Sequence, residues 1–140
     1  MDKWQSSNTI ENNLIICNML KQNIMLSYDL GVDGDYNTLY KWLDSKQAKE
    51  CGDSTCMICY RFSTIERMET DEDTKNALQE IYKDLKSNEI TFRFNDRIYV
   101  ASDFSWKGDK SLKGCFIIGK RKPNPWDGFS TQNEGNFELD

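Results

Sequence analysis

The chain has 140 residues, of which 38% are hydrophobic and 29% charged, and its formal net charge is −5. These totals predict one globular domain with a sizeable core, and the acidic balance does not indicate nucleic-acid binding by the molecule as a whole. The chain contains no histidine, which excludes Ser-His-Asp and Cys-His catalysis and histidine metal ligands.

Residues 1–22 are predicted to form an N-terminal extension. They lack a signal-peptide pattern, and the chain has no run of about 18 apolar residues, so we expect a cytoplasmic protein without a membrane span. Apolar spacing from Thr9 to Lys21 favours a helix, although the run Leu14-Ile15-Ile16 also fits a strand.

Asn23 to Leu30 is the first predicted strand, and the rest of the fold is organised around it. Its side chains alternate between an apolar face (Ile24, Leu26, Tyr28 and Leu30) and a face that ends in a carboxylate (Met25, Ser27 and Asp29). A glycine-rich turn follows. Asp35 is then the predicted N-cap of a helix that runs to about Lys46.

The middle of the chain predicts a turn, a strand and a long helix. The turn covers Cys51 to Ser54, and the strand covers Thr55 to Phe62. The helix from about Asp71 to Ser87 has a continuous apolar face, and Thr70 with Asp73 resembles a capping box at its start.

The last third of the chain predicts three strands and a tail. In order these are a hairpin of Ile90 to Phe94 and Arg97 to Ser102, a long loop from Asp103 to Gly114, a strand from Cys115 to Lys120 and a tail over 123–140. Asn95-Asp96 is a suitable two-residue hairpin turn.

The order of these elements predicts an α+β fold of the ferredoxin-like, split β-α-β kind over residues 23–122, with the last strand added after it. Two helices would cover one face of the sheet. The other face would then need a cover, and a symmetric homodimer is the simplest one.

Several short motifs coincide in this order. Ser27-Tyr28-Asp29-Leu30 closes the first strand, Gly34-Asp35-Tyr36 with Leu39-Tyr40 opens the first helix, Ser54 introduces the second strand, and Asn95-Asp96-Arg97-Ile98-Tyr99-Val100 forms the hairpin strand. From Asn23 to Lys120 the chain resembles the small SinR-like proteins and, more distantly, the CRISPR-associated protein Cas-two. The extension before the first strand and the tail beginning at Pro123 depart from that pattern.

The resemblance implies a ferredoxin-like homodimer connected with defence systems. It also implies that Asp29 and its symmetry mate hold Mg²⁺ or Mn²⁺ and help to activate water, with Ser27 or Tyr28 as local support. A single carboxylate is a poor site for Mg²⁺, so a carboxylate that caps the following turn stays open as the alternative. Asp33 and Asp35 are possible further ligands, or turn and cap residues.

The segment from Lys107 to Lys122 is the candidate nucleic-acid site. Its basic residues are Lys107, Lys110, Lys113, Lys120, Arg121 and Lys122, and Trp106 and Trp126 flank it. Basic residues interleaved with aromatic ones suit a phosphate backbone and stacked bases, but they also fit a solvated loop and a charged edge strand. Acidic residues concentrate between Glu66 and Asp73, so we expect one side of the molecule to be acidic and another to be basic.

The spacing of Cys51, Cys56 and Cys59 resembles part of a zinc site, with Cys115 as a conceivable fourth ligand. Cys56 and Cys59, however, lie three apart in one predicted strand and therefore point to opposite faces. We expect free thiols and no zinc.

Two functions are consistent with these features. The first is a dimeric, metal-dependent phosphodiesterase acting on RNA or DNA. The alternative is a non-catalytic dimeric interaction or inhibitor protein that binds another protein in phage–host or toxin–antitoxin conflict. A binder of small nucleotides, stacking them on Trp and Tyr side chains, is a third option.

Overall fold

The computed structural model of the protein describes residues 18–130, which form a five-stranded antiparallel sheet and two helices. In chain order the elements are β1 (Lys21–Asp29), α1 (Tyr36–Ser45), β2 (Lys49–Gly52), β3 (Thr55–Arg61), α2 (Asp71–Ser87), β4 (Arg97–Trp106) and β5 (Asp109–Ile118). The strand order is β2-β3-β1-β4-β5. The predicted α+β class is confirmed, and the arrangement is compatible with a ferredoxin-like sandwich. The predicted helix from Thr9 falls mostly outside the described residues, and its last residue, Lys21, belongs to β1.

β1 is the central strand, and its predicted alternation is confirmed. Leu26 lies opposite Cys56 of β3 on one side and Val100 of β4 on the other. All three are buried in the core beneath the helices. One fully buried face fixes the register, because a slip of one residue would move every apolar side chain to the other face.

Both helices begin at side chains that the sequence identifies as caps. Asp35 Oδ1 accepts a hydrogen bond from the Thr38 amide at 3.3 Å, and Thr70 and Asp73 form a complete capping box at α2. Ala77, Ile81 and Leu85 of α2 are fully buried against the sheet. The predicted boundaries of α2 are confirmed at both ends.

The predicted strand Ile90 to Phe94 is wrong, because this segment is not part of the sheet. Its predicted partner, β4, is hydrogen-bonded to β1 on one edge and to β5 on the other, so neither edge is free to pair with it. The segment is instead attached to the loop after β1. Thr91 donates its amide to Asp35 Oδ2 at 2.9 Å, and Asp96 Oδ1 accepts the amide of Gly31 at 2.9 Å.

The predicted long loop from Asp103 to Gly114 is also wrong. These residues complete β4 and most of β5, which form a hairpin. Its turn is Lys107-Gly108, with φ of 52° and 79°, and positive φ at both central residues matches the twist of antiparallel strands. The predicted strand Cys115 to Lys120 is therefore the end of a longer strand. The predicted turn from Cys51 to Ser54 overlaps the last two residues of β2, an edge strand of four residues that the sequence did not predict because none of them is buried.

The sheet face opposite the helices has no cover among residues 18–130. Met25, at its centre, is 41% exposed and lies across from Met57 and Ala101. Within the same residues, no helix is long and apolar enough to cross a membrane.

Candidate nucleic-acid interface

Asp29 ends β1 on the open face of the sheet, as predicted, and it is paired with Arg97 at the start of β4. The Arg97 guanidinium donates through Nη2 at 2.6 Å and through Nε at 3.2 Å, and both hydrogen bonds go to Asp29 Oδ2. No described residue donates to Asp29 Oδ1, and the Asp29 side chain is 59% exposed. Asp29 therefore has one oxygen engaged and one oxygen facing solvent.

A metal ion does not fit these residues within one copy of the chain. A guanidinium 2.6 Å from the carboxylate already supplies its counter-charge and would repel a second cation. Among residues 18–130, no three Cys, Asp or Glu side chains converge on a common point. Mg²⁺ needs several oxygen ligands, so a metal site at Asp29 depends on ligands from elsewhere, such as a second copy.

The neighbours of Asp29 have other contacts. Ser27 shares its face and has its Oγ 3.5 Å from Thr55 Oγ1. Tyr28 lies on the opposite, helix-side face, where its hydroxyl donates to Tyr40 at 3.4 Å. That hydrogen bond, helped by burial, raises the pKa of Tyr28 to about 12. Tyr28 therefore cannot assist Asp29 directly.

The two acids after β1 are held by local contacts. The hydrogen bonds that Asp35 accepts from Thr91 and Thr38 lower the pKa of its carboxyl below the ordinary value. Asp33 is exposed and lies 3.7 Å from Arg93. Asp35 acts as a cap, which is the second of the two roles expected for it.

The predicted basic segment is divided between the two ends of β5. Lys110 and Lys120 are ten residues apart along an extended chain, which places them about 30 Å from each other. The structure therefore does not bring the predicted nucleic-acid residues into one site. The two ends of β5 present two separate groups of basic residues.

At the hairpin-turn end, one predicted cation is paired with an acid, and further acids lie beside the turn. Lys113 Nζ is 3.2 Å from Asp109 Oδ2, and hydrogen bonds from Ser111 and Lys113 lower the pKa of Asp109. The Lys107 amide donates to Asp71 Oδ1 at 2.7 Å, which brings this end beside the acidic first turn of α2. The ring of Trp106 is covered by Lys75, whose Nζ is 5.7 Å from the ring centroid. Of the predicted cations at this end, Lys113 is therefore paired with an acid, and the turn lies beside the acids of α2.

At the other end of β5, the remaining predicted residues form a groove beside Asp29. The groove has a volume of about 360 Å³ and is lined by Phe94, Asn95, Asp96, Arg97, Gly119, Lys120, Arg121 and Lys122. We call this set the basic groove. Lys120, Arg121 and Lys122 are exposed and form no ion pair with any described residue. These three cations, which are unpaired among residues 18–130, therefore line the same groove as Arg97.

One wall of the basic groove is set by Asp96, a carboxylate that is only 2% exposed. Its Oδ2 accepts the amide of Arg93 at 2.7 Å, while its own amide donates to the Arg93 carbonyl at 3.1 Å. These bonds close the turn that presents Phe94 and Arg97. Because both carboxylate oxygens accept backbone hydrogen bonds, Asp96 is occupied and is not available as a ligand.

The opposite wall depends on Gly119. Its φ is +77°, and a Cβ at this position would clash with the carbonyl oxygen of Asp96 and with the side chain of Arg97. Glycine therefore lets the chain leave β5 close to the start of β4. This contact brings Lys120 to Lys122 next to the turn at Asp96.

Phe116 of β5 supports two of the guanidinium groups. Arg97 and Arg121 each lie with Cζ 5.5 Å from its ring centroid, a cation–π distance. The edge of Tyr99 packs on the same ring at a centroid distance of 4.9 Å. A bulge at Ile117, opposite the step from Ile98 to Tyr99, puts Phe116 on this face.

The cysteines lie on different faces and at different depths. Cys56 is buried among the core residues, whereas Cys59, three residues later on β3, is exposed on the open face. Burial raises the pKa of Cys56 to about 11, and burial also raises the pKa of the half-buried Cys115. The prediction of free thiols is in keeping with this placement, and the absence of zinc stays a prediction.

Sequence reasoning missed Phe94 and Phe116 as parts of the site. Phe94 was assigned to a strand, and Phe116 had no partner until the hairpin register was known. Arg97 was predicted only as the first residue of a hairpin strand. The one available signal was Gly119, a glycine directly before three consecutive basic residues.

The resemblance to SinR-like and Cas-two-like proteins is a prediction from short sequence motifs. Comparison of this chain with protein-family models, with curated proteins and with solved structures finds no match. The family assignment therefore stays a prediction.

Proposed function

We propose that this protein binds nucleic acid through the basic groove and that Asp29 orients Arg97 for that purpose. The observation that carries the proposal is the set of three exposed cations, Lys120 to Lys122, without ion-pair partners among the described residues. Clustered Lys and Arg side chains bind phosphates and release the counterions of the nucleic acid. Part of the acidic charge of the chain lies in the first turn of α2, beside the hairpin turn at the other end of β5.

The ion pair with Asp29 supports a positioning role. A guanidinium has five N–H donors, and Arg97 uses two of them on Asp29 Oδ2. Three donors are left for a phosphate, and the cation–π contact with Phe116 helps to hold the guanidinium in place. A fixed guanidinium loses less conformational entropy on binding than a free one does.

The test compares two double variants that remove the same charge from opposite ends of β5. Arg121→Gln/Lys122→Gln removes two cations of the basic groove, and Lys107→Gln/Lys110→Gln removes two cations near the hairpin turn. For a single strand contacting three or four phosphates, the slope of log K against log salt is about −2 to −3 in the wild type. We expect the groove variant to reduce that slope by about 1.4 and to weaken binding about tenfold or more.

The matched control should retain the wild-type slope and bind within about threefold of the wild type. Equal weakening by both double variants would show that only net charge matters. A wild-type protein whose binding is absent, or does not depend on salt, would overturn the proposal.

A metal-dependent phosphodiesterase is the second candidate. The observation that favours it is the free, exposed Oδ1 of Asp29, next to cations that can hold a phosphodiester backbone. Because the residues of one copy do not fit a metal, this candidate requires a second copy. The test is cleavage of labelled RNA and DNA with Mg²⁺ or Mn²⁺ by the wild type and by Asp29→Asn. Cleavage that survives Asp29→Asn, or no cleavage by the wild type, removes this candidate.

A further inference from the structure

Phe94 is the feature of the basic groove that phosphate binding does not explain. Its side chain is 97% exposed, whereas Ile90, four residues earlier, is buried in the core and Phe92 packs against it. A phenylalanine in this position contributes no apolar burial to folding. Phe94 nevertheless lines the same groove as Lys120, Arg121 and Lys122.

The ring is presented by a closed turn. Asp96 accepts the Arg93 amide at 2.7 Å and donates its own amide to the Arg93 carbonyl at 3.1 Å, so the backbone on both sides of Phe94 is tied. The same carboxylate is joined to Gly31 at 2.9 Å, which fixes the turn to the loop after β1. An exposed ring on a backbone that is held in place needs less reorganisation to accept a stacked partner than one on a mobile loop does.

We infer that the basic groove binds single-stranded nucleic acid, with one unstacked base resting on Phe94 and the adjoining phosphates on Lys120 to Lys122. This inference rests on the proposed function and adds the class of nucleic acid. Bases in a duplex are paired and stacked on each other, so they cannot offer a face to Phe94, whereas a single strand can turn a base outward. The exposed amide of Asn95, in the same groove, can hydrogen-bond the edge of such a base.

The test measures fluorescence anisotropy with a labelled single strand of about 10 nucleotides, with the same sequence as a duplex, and with an abasic strand of equal length. Phe94→Leu keeps an apolar side chain but removes the aromatic face. We expect it to weaken single-strand binding about 5- to 150-fold, and to leave the salt slope and duplex binding unchanged. Phe94→Tyr should bind as the wild type does.

Leu112→Ser is the control for loss of an exposed apolar side chain, because Leu112 is 77% exposed and lies towards the other end of β5. It should bind all three ligands as the wild type does. The inference is overturned if Phe94→Leu changes nothing, if it weakens duplex and single strand equally, or if the wild type binds the abasic strand as tightly as the normal one. In each of those results salt-dependent binding survives and so does the proposed function; if no ligand binds at all, both fail.

Discussion

Asp84 of α2 joins three elements of the fold, and its replacement is the sharpest test of how the core is held. Its Oδ2 accepts the Tyr60 hydroxyl of β3 at 2.6 Å and lies 2.6 Å from Nζ of Lys46, the C-cap residue of α1. Tyr60 is only 3% exposed. Burial and the hydrogen bond with Asp84 both raise the pKa of Tyr60 above its ordinary value.

Asp84→Ala should lower the free energy of unfolding by about 2–4 kcal/mol. The larger part is the hydrogen bond from Tyr60 to a charged acceptor, about 1.5–3 kcal/mol, since its loss leaves a buried hydroxyl without a partner. The ion pair with Lys46 adds at most about 1 kcal/mol, because both side chains are partly exposed.

Urea unfolding followed by circular dichroism measures these free energies, and a double-mutant cycle with Tyr60→Phe isolates the hydrogen bond. The coupling energy should exceed about 1 kcal/mol. Asp44→Ala is the control, because Asp44 is exposed and its carboxylate accepts no hydrogen bond from any described residue. A coupling energy below about 0.5 kcal/mol, or an equal loss in the control, would refute this account of the contact.

The pH dependence of the same variant follows from the direction of the pKa shift. Burial alone would raise the pKa of Asp84, but hydrogen bonds from Lys46 and Tyr60 outweigh it, so the pKa lies below its ordinary value. A carboxyl with a lowered folded-state pKa stabilises the fold above its unfolded pKa, and the contribution is lost as the pH falls through the folded pKa. The difference between wild type and Asp84→Ala should therefore be constant near neutral pH and shrink below about pH 4.

Three further changes test the groove and the open face. Gly119→Ala should destabilise the fold more than Gly108→Ala does, and it should also weaken single-strand binding more. Both glycines have positive φ, of +77° and +79°, but only Gly119 has backbone within reach of a Cβ. Equal melting temperatures of the two variants would contradict the close approach. Asp96→Ala should cost about 2–5 kcal/mol in urea unfolding, since it leaves the amides of Gly31 and Arg93 without acceptors, and a loss below about 1 kcal/mol would contradict this. If a second copy covers the open face, Met25→Lys should convert a dimer to a monomer in light scattering, and a wild-type monomer would end that prediction.

The sequence predicts elements well where a buried face and a cap agree. β1 alternates because one of its faces packs under both helices, and α2 begins and ends as predicted because its capping box and apolar period indicate the same boundaries. α1 is confirmed for the same reason, through the contact of Asp35 with Thr38.

The predictions failed where the hydrogen-bonding partner of a segment depends on strands elsewhere in the chain. Ile90 to Phe94 alternates as a strand should, yet both edges of β4 are taken by other strands. Most residues of β5 before Cys115 are polar and exposed, so no local apolar pattern distinguishes them from a loop. Only the Lys107-Gly108 turn indicates the hairpin locally, and recognising it would have divided the basic segment correctly.

The split of the basic segment also changes the interpretation of Asp29. If all the predicted cations lay together, Asp29 would stand apart from them, and a metal would be the simplest explanation for a carboxylate at the end of β1. Instead, Lys120 to Lys122 reach the same end of the sheet as Asp29, and Arg97, which lines the groove with them, is paired with Asp29. A carboxylate 2.6 Å from a guanidinium is stabilised by it, and the guanidinium is in turn oriented towards the groove. We infer that charge at this end is arranged to hold an anion, with Asp29 acting through Arg97 rather than on the anion itself.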